Sequence, residues 1–316
     1  MTTRAEQPTG AGRPAILTEQ LTKSYGRRRS RGIISLDLEV RTGEVFGFLG
    51  PNGAGKTTTI RLLLDLIRPT SGRALVLGRD SRRETLAVQA RSGYLPGELY
   101  LYPTLTGRET LRYLGSLRGG VEWRRVDELA ERLDCDLDRK VADLSSGNKR
   151  KIGLIQAFMH QPELLILDEP TSGLDPLVQH EFYRLLDEAR EAGQTVFLSS
   201  HVLPEVQRVC DRVAFIREGE LVAVEDVASL TGRAIREMDV VFAHAVPPAI
   251  LDGVPGVTSV TADGDDGTTL RFTVAGSLDP VIKALAGHPV VDLVSQVPDL
   301  EDVFMTFYGE KGGDAS

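Results

Sequence analysis

Apolar residues alternate with polar or small ones in three stretches near the beginning of the chain, at residues 16–22, 36–40 and 45–49. A period of two is typical of β-strands that bury one face. Residues 55–67 instead space their apolar side chains three and four positions apart, which predicts a helix, and Pro69 marks its end. The chain therefore begins with strands and continues with a strand followed by a helix.

Farther along, apolar runs alternate with helical periodicity. Residues 164–167 and 195–198 predict strands that are buried on both faces, as in a parallel sheet. Further helices are predicted at residues 110–117, 123–133, 147–160, 178–192 and 204–209, and further short strands at 74–77, 213–217 and 221–224. This order of strands and helices predicts an α/β fold.

The pattern changes between residues 225 and 238, where we place a domain boundary. Strands are predicted at residues 240–243, 257–261, 270–275 and 290–295, helices at 279–286 and 299–308, and a hairpin turn at 263–267. These elements predict a small C-terminal α+β module.

Composition excludes several classes of protein. The chain has 316 residues, of which 41% are hydrophobic and 26% charged, so a globular protein of about two domains is expected. It contains no apolar run long enough for a transmembrane helix, and residues 1–14 are polar, which predicts a disordered leader rather than a secretion signal. Cys135 and Cys210 have no metal-type spacing, which fits a reducing cytoplasm.

The acidic charge is concentrated in the C-terminal module. The net charge is −8, and residues 240–316 hold three basic and eleven acidic residues, so the rest of the chain is neutral. Neither part has the bulk positive charge of a nucleic-acid-binding protein. The basic run at residues 27–31 is better explained as a solvated loop than as a phosphate-binding patch.

The strongest local signal is the stretch Gly50-Pro51-Asn52-Gly53-Ala54-Gly55-Lys56-Thr57-Thr58. This stretch, the P-loop, matches the pattern G-x-x-x-x-G-K-[ST]. It lies between a predicted strand and a predicted helix, which is the context that the pattern requires. The glycines allow backbone N–H groups to surround a phosphate chain, and the helix N-terminus adds partial positive charge. Lys56 supplies a full charge to the β- and γ-phosphates, and the Thr57 hydroxyl is a ligand for Mg²⁺.

A second motif follows the apolar run at residues 164–167. It is Asp168-Glu169-Pro170, which places two adjacent carboxylates at the end of a predicted buried strand. Asp168 is a candidate ligand of Mg²⁺, and Glu169 is a candidate general base that polarises the attacking water. Alone, such a pair would be read as an acidic turn, but after the phosphate-binding motif the catalytic interpretation is favoured.

With these two motifs, residues 16–224 resemble the ATP-binding-cassette family of P-loop NTPases. Leu144-Ser145-Ser146-Gly147-Asn148 is similar to the family signature, usually LSGGQ, and Ser172-Gly173-Leu174-Asp175 is similar to its D-loop. The resemblance implies an ATP-binding domain over residues 15–230, with a helical signature subdomain at about 97–160. The accessory or dimerisation module then covers residues 238–310.

The resemblance also implies roles for single residues. Ser145, Ser146, Gly147 and Asn148 would contact ATP bound to the P-loop of a second copy in a head-to-tail dimer, and Asp175 would join that site. His201 looks like the switch histidine that contacts the γ-phosphate, and with Glu169 it would take part in catalysis. Tyr25 resembles the aromatic residue that stacks on adenine, although an ordinary strand-end aromatic explains it equally well.

Two positions depart from the family pattern. The signature has Ser146 and Asn148 where Gly and Gln are usual, and both replacements keep phosphate contact plausible. The Q-loop glutamine aligns with Gly97, which has no side chain to contact Mg²⁺ or water. Glu98 is the neighbouring candidate ligand. Mg²⁺ coordination through this loop, and its coupling to a partner, are therefore open.

The end of the chain is similar to that of drug- and lipid-export ATPases of the daunorubicin-resistance type. The similar stretch is Asp299-Leu300-Glu301-Asp302-Val303-Phe304, followed by Tyr308-Gly309. This resemblance implies that the C-terminal module has a role in dimer assembly or regulation. The apolar residues of the predicted helix at 299–308 are explained more simply as part of a core than as a dimer contact.

The expected function is that of an ATP-hydrolysing subunit of an ABC transporter, with ATP and Mg²⁺ as cofactors. It would act as a homodimer that powers a separate integral membrane permease, and it would lie peripherally at the cytoplasmic face of the cell membrane. Export of a drug-like or lipid-like compound is expected. No nucleic acid is expected as a partner. The rivals are a soluble ABC-type ATPase acting on ribosomes or DNA, and a regulatory module that binds nucleotide without hydrolysis.

We expect the Lys56→Ala variant to lose tight ATP binding, because it removes the one full positive charge that the P-loop offers to the phosphates. Charge-assisted hydrogen bonds contribute about 1.5–3 kcal/mol each, so a fall in affinity of roughly tenfold or more is expected. Equilibrium titration with a fluorescent ATP analogue measures it. Wild-type affinity in the variant would refute the phosphate role of Lys56.

Overall fold

The computed structural model describes residues 13–26, 30–229, 236–263 and 267–296. They belong to two compact units, of which the first ends at Val224 and the second begins at Glu225. Several sequence predictions lie outside the described residues: nearly all of the leader at 1–14, the centre of the turn at 263–267 and the helix at 299–308. Within the described ranges, none of the helices is long and apolar enough to cross a membrane.

The first unit contains two sheets. Its strands are β1 (Ile16–Tyr25), β2 (Ser30–Val40), β3 (Val45–Leu49), β4 (Ser71–Val76), β5 (Arg79–Asp80), β6 (Ser92–Leu95), β7 (Leu164–Asp168), β8 (Thr195–Ser200), β9 (Arg212–Arg217) and β10 (Glu220–Asp226), whose last two residues lie past the end of the unit. An antiparallel sheet has the order β2-β1-β4-β5, and a larger sheet has the order β10-β9-β3-β8-β7-β6.

The larger sheet is parallel from β9 to β6 and positions the site. All residues of β3, β7 and β8 are buried, as their apolar runs predict. Phe197 of β8 packs on Phe46 and Phe48 of β3, with ring centroids 6.1 and 5.3 Å apart. Because parallel strands end at one edge of a sheet, the segments that follow β3, β7 and β8 lie side by side.

Helices connect these strands. They are α1 (Lys56–Leu63), α2 (Thr85–Ala90), α3 (Gly107–Ser116), α4 (Trp123–Arg132), α5 (Ser146–Phe158), α6 (Pro176–Glu191) and α7 (Leu203–Val209). Between β6 and β7, α3 and α4 both pack on α5, and α5 packs on β6. Trp123, the only tryptophan of the chain, begins α4, and its ring centroid lies 5.3 Å from the Arg112 guanidinium carbon.

The helix predicted at residues 55–67 is shorter in the structure. It ends at Leu63, because Asp65 adopts the left-handed conformation with φ 56°. The Asp65 carboxylate accepts a hydrogen bond from Thr85 at 2.6 Å and pairs with Arg68. The sequence prediction also missed α2 and β6, which are short and lack a clear apolar period.

The second unit is a small α+β fold, as predicted. Its elements are β11 (Arg236–Phe242), β12 (Val257–Asp263), β13 (Thr269–Val274), α8 (Asp279–Leu285) and β14 (Val290–Gln296). The sheet is antiparallel with the order β12-β13-β11-β14. Buried residues of β11 and β13, including Val240 and Phe272, form a core with Val281 and Leu285 of α8.

We expect Gly47→Ala to lower the free energy of unfolding by about 1–3 kcal/mol, since a methyl group has no space there. An added Cβ would lie 2.7 Å from Val206 Cγ1 in α7 and 3.1 Å from Cys210 Sγ. Urea unfolding followed by circular dichroism measures the change. The control is Gly287→Ala, whose added methyl meets no atom within 4 Å; equal stability of the two variants would contradict the expectation.

Candidate active site

The turn after β3 forms a cradle of backbone groups. Gly53 and Gly55 adopt φ of 82° and 114°, which side-chain-bearing residues rarely do. A Cβ at Gly50 would lie 2.3 Å from the Ile216 carbonyl oxygen, so this position also requires glycine. Helix α1 begins at Lys56 without a side-chain cap at its N-terminus. Its first N–H groups are therefore available to an anion.

Lys56 is held at the back of this cradle. Only 6% of the residue is exposed, and its Nζ donates to the Gly50 carbonyl oxygen. The same Nζ lies 3.3 Å from Glu169 Oε1. The ammonium group is thus fixed by the turn that it serves, which limits the entropy that it would lose on binding a phosphate.

Asp168 joins the P-loop to the end of the central sheet. It is fully buried, and its Oδ2 accepts a hydrogen bond from the Thr57 hydroxyl at 2.8 Å. Its Oδ1 accepts a hydrogen bond from the Ser199 hydroxyl. Ser199 is not among the site residues predicted from the sequence. The signal for it is register, because Asp168 and Ser199 are paired across the parallel strands β7 and β8.

Glu169 lies between two donors. Its Oε2 is 2.6 Å from His201 Nδ1, and its Oε1 faces the Lys56 ammonium. Its backbone has φ of 50°, and its N–H donates to the Ser199 carbonyl at 3.0 Å. This strained conformation turns the side chain toward the P-loop, which is where a general base for phosphoryl transfer has to be.

The turn after β3, the start of α1 and Glu169 line one cavity. It has a volume of ≈ 190 Å³, and its lining residues are Pro51, Asn52, Gly53, Gly55, Lys56, Thr57, Thr58 and Glu169. Backbone N–H groups, hydroxyls and one lysine make this lining suitable for a polyphosphate. Ala54 belongs to the same turn and is buried, with its N–H donating to the Pro51 carbonyl.

The donor set beside the cavity also fits Mg²⁺. Thr57 and Asp168 offer only oxygen atoms, the ligand type of this hard cation, which usually takes few protein ligands together with phosphates and water. Among the described residues there is no group of three or more His, Cys, Asp or Glu side chains that would form a separate metal centre. Glu98 is exposed, and its Oε2 accepts from the Tyr100 hydroxyl at 3.2 Å, so the structure does not join it to Thr57 and Asp168.

The signature residues form the exposed start of α5. The Ser145 hydroxyl caps the helix by accepting from the Asn148 N–H at 3.3 Å, and Ser146 is exposed. Gly147 lies against the D-loop, since a Cβ there would be 2.5 Å from the Gly173 carbonyl oxygen. Signature and D-loop of one chain therefore touch each other.

Two further predicted residues have other contacts. Asp175 caps α6 by accepting from the Val178 N–H at 3.0 Å, and this hydrogen bond lowers the pKa of Asp175. Tyr25 at the end of β1 is 40% exposed, with Lys23 Nζ 5.3 Å from its ring centroid. A half-exposed ring of this kind is available for stacking.

A buried carboxylate that was not predicted from the sequence lies four residues after His201. Glu205 in α7 is 4% exposed, and its Oε2 accepts from the Ser200 hydroxyl at 2.7 Å. Burial raises the pKa of Glu205, and the hydrogen bond from Ser200 partly offsets the rise. The contact holds together the two segments on either side of His201.

Known proteins resemble this chain over both units. A family model described as "ABC transporter" matches residues 33–172. The bacitracin transport ATP-binding protein BcrA of Enterococcus faecalis is 34% identical over 306 residues, covering 94% of this chain and 97% of that protein. The daunorubicin resistance ATP-binding protein DrrA3 of Streptomyces coeruleorubidus is 36% identical over 309 residues, covering 94% and 96%.

A solved structure resembles about two thirds of this chain. It is described as an ATP-binding subunit of an ABC transporter, with a TM-score of 0.63 and 29% sequence identity. The match covers 68% of this chain and 91% of that chain. The α/β architecture predicted from the sequence is confirmed by this likeness.

We expect Glu169→Gln to lower the ATP hydrolysis rate by about 100-fold or more, the range of a general base, and to trap an ATP-bound dimer. ATP affinity should rise, because the substitution removes a negative charge 3.3 Å from the Lys56 ammonium. Phosphate release and size-exclusion chromatography with ATP measure both effects.

The matched control is Glu163→Gln. Glu163 precedes the first residue of β7, whereas Glu169 follows the last one, and it pairs with Arg91 on the surface. That variant should hydrolyse ATP like the wild type. Unimpaired turnover in Glu169→Gln would remove Glu169 from the general-base role.

Proposed function

Because this chain belongs to the ABC transporter family of ATP-binding proteins, we propose that it powers a separate membrane permease that exports a drug-like or lipid-like compound. The chain is an ATPase, and its cofactor is ATP. The observation that carries the proposal is that Lys56 and Glu169 line the P-loop cavity together, while His201 contacts the Glu169 carboxylate.

Each of these side chains has a part in hydrolysis. Lys56 and the backbone of the P-loop bind the phosphates, and Thr57 with Asp168 would hold Mg²⁺, which supplies charge neutralisation at the phosphates when it is bound. Glu169 orients and deprotonates the attacking water. His201 contacts Glu169 at 2.6 Å, and its proposed role is to donate a hydrogen bond to the γ-phosphate.

Lys56 and His201 are shared between Glu169 and the phosphate. Both donors contact the Glu169 carboxylate, and both are assigned to the γ-phosphate. A γ-phosphate that takes these donors leaves the carboxylate free to accept the proton of a water molecule. This exchange of partners links the arrival of ATP to activation of the base.

We assign the exposed start of α5 to a second copy of the chain. Ser145 and Gly147 stand at a helix N-terminus, which favours a bound anion, and Ser146 and Asn148 flank them. In the proposed head-to-tail homodimer they contact ATP held by the partner's P-loop, and Asp175 lies at the same interface. Tyr25 stacks on the adenine of the nucleotide in its own P-loop.

The names of the whole-length relatives support the transport role. BcrA is named for bacitracin transport and DrrA3 for daunorubicin resistance, and each aligns with both units of this chain. The C-terminal module, residues 238–310, is proposed as an accessory or dimerisation part. The proposed location is the cytoplasmic face of the cell membrane, where the chain attaches through its permease.

Gentle solubilisation of native membranes tests the proposal. The affinity-tagged full chain should co-purify with one integral membrane protein in a fixed ratio, and ATPase activity should travel with that complex. Cells carrying Glu169→Gln should accumulate the exported compound. If the chain instead purifies with ribosomes or DNA, the ATPase assignment stands and the transport assignment falls.

A further inference from the structure

Arg150 is a buried cation in the second turn of α5, close to the signature. Only 5% of the residue is exposed, although arginine is rarely buried without partners. Nothing in the proposed reaction assigns it a role. Its neighbour Lys151 is buried to the same degree, with 6% exposed, but has partners in a different segment.

The Arg150 guanidinium donates to five backbone carbonyl groups in two segments. Its Nη1 donates to residues 96 and 97, just beyond β6, at 2.6 and 3.0 Å. Its Nη2 donates to residues 168 and 169, and its Nε donates to residue 170 at 3.3 Å. One side chain thus joins α5, the segment after β6 and the end of β7.

Only arginine suits this arrangement. Its planar fork carries five N–H donors that point in fixed directions, whereas lysine has three donors on a single atom. Burial lowers the pKa of Arg150, and the nearby Asp168 and Glu169 carboxylates oppose that shift. The side chain remains a cation, because arginine stays protonated in proteins.

Gly97, in the segment after β6, has no side chain that could contact the end of β7. A Cβ at Gly97 would lie 3.1 Å from Asp168 Oδ2 and 3.4 Å from its Cγ, so the main chain approaches the carboxylate closely. The Arg150 guanidinium connects this segment to the end of β7, because it donates to carbonyl groups on both sides. In this chain the link comes from α5.

We propose that Arg150 is a positioning residue for ATP hydrolysis, which holds the backbone of residues 168–170 against residues 96–97 and makes the position of Asp168 and Glu169 depend on that of α5. A displacement of α5 moves five carbonyls at once. The signature and the catalytic carboxylates then shift together. This inference rests on the proposed roles of Asp168 and Glu169.

The test separates catalysis from binding in the full chain. We expect the Arg150→Lys and Arg150→Gln proteins to bind ATP within about threefold of the wild type, because residue 150 does not line the P-loop cavity. Their kcat should fall by about tenfold or more, since a small misplacement of catalytic groups is costly, with Arg150→Lys the less affected. Steady-state kinetics, nucleotide titration and thermal unfolding are measured on each variant.

Of two control variants, Lys151→Gln matches the burial of Arg150 and Arg118→Lys matches its hydrogen-bonding chemistry. Lys151→Gln removes a buried cation of the same helix, whose Nζ donates to the Asp134 carbonyl at 2.9 Å. Arg118→Lys disrupts another guanidinium that donates to carbonyls, those of Gln89 at 3.0 Å and Ser92 at 3.2 Å. Both controls should keep kcat within about twofold of the wild type, because their partners lie away from Asp168 and Glu169.

A wild-type kcat in a folded Arg150→Lys variant would overturn the inference. A loss of kcat in Lys151→Gln equal to that in the Arg150 variants would also overturn it, since Arg150 would then have only a structural role. If Arg150→Gln does not fold, Arg150→Lys decides the question. A wild-type chain that binds ATP but does not hydrolyse it would refute the roles of Asp168 and Glu169 instead. Wild-type hydrolysis with unaffected Arg150 variants would refute this inference alone.

Discussion

The position of the whole site depends on one buried carboxylate, that of Asp168. A carboxylate without exposure to water has to be hydrogen-bonded, because an unpaired one would cost several kcal/mol, roughly the stability of a domain. Thr57 supplies one hydrogen bond from the first turn of α1, and Ser199 supplies another from β8. Satisfying this group therefore fixes the P-loop against the central sheet.

The neighbouring glutamate obeys the opposite constraint. Glu169 has 21% of its side chain exposed and contacts Lys56 and His201, two groups that a phosphate would attract. Its contacts are thus exchangeable, whereas those of Asp168 are enclosed. Two adjacent carboxylates on one strand end can serve as a fixed ligand and a mobile base because their surroundings differ in exposure.

Local motifs could be predicted from the sequence, and contacts between distant segments could not. The P-loop, Asp168 and Glu169 were predicted because short patterns specify their turn and strand, and the structure brings them together. Ser199 depends on the register of β7 and β8, and Arg150 on the packing of α5 against two loops. Helix α1 ends early where Asp65 turns to the left-handed conformation and accepts a hydrogen bond from Thr85, 20 residues farther along the chain. The apolar periodicity of residues 55–67 contains no information about that contact.

The single tryptophan at the beginning of α4 gives the molecule an optical property of its own. Trp123 stacks with Arg112 of α3, and its ring is only partly buried. Since no other indole is present, tryptophan emission from the whole chain comes from the helical segment between β6 and β7. Quenching by a small anion such as iodide would therefore follow the surroundings of that segment in the unlabelled protein.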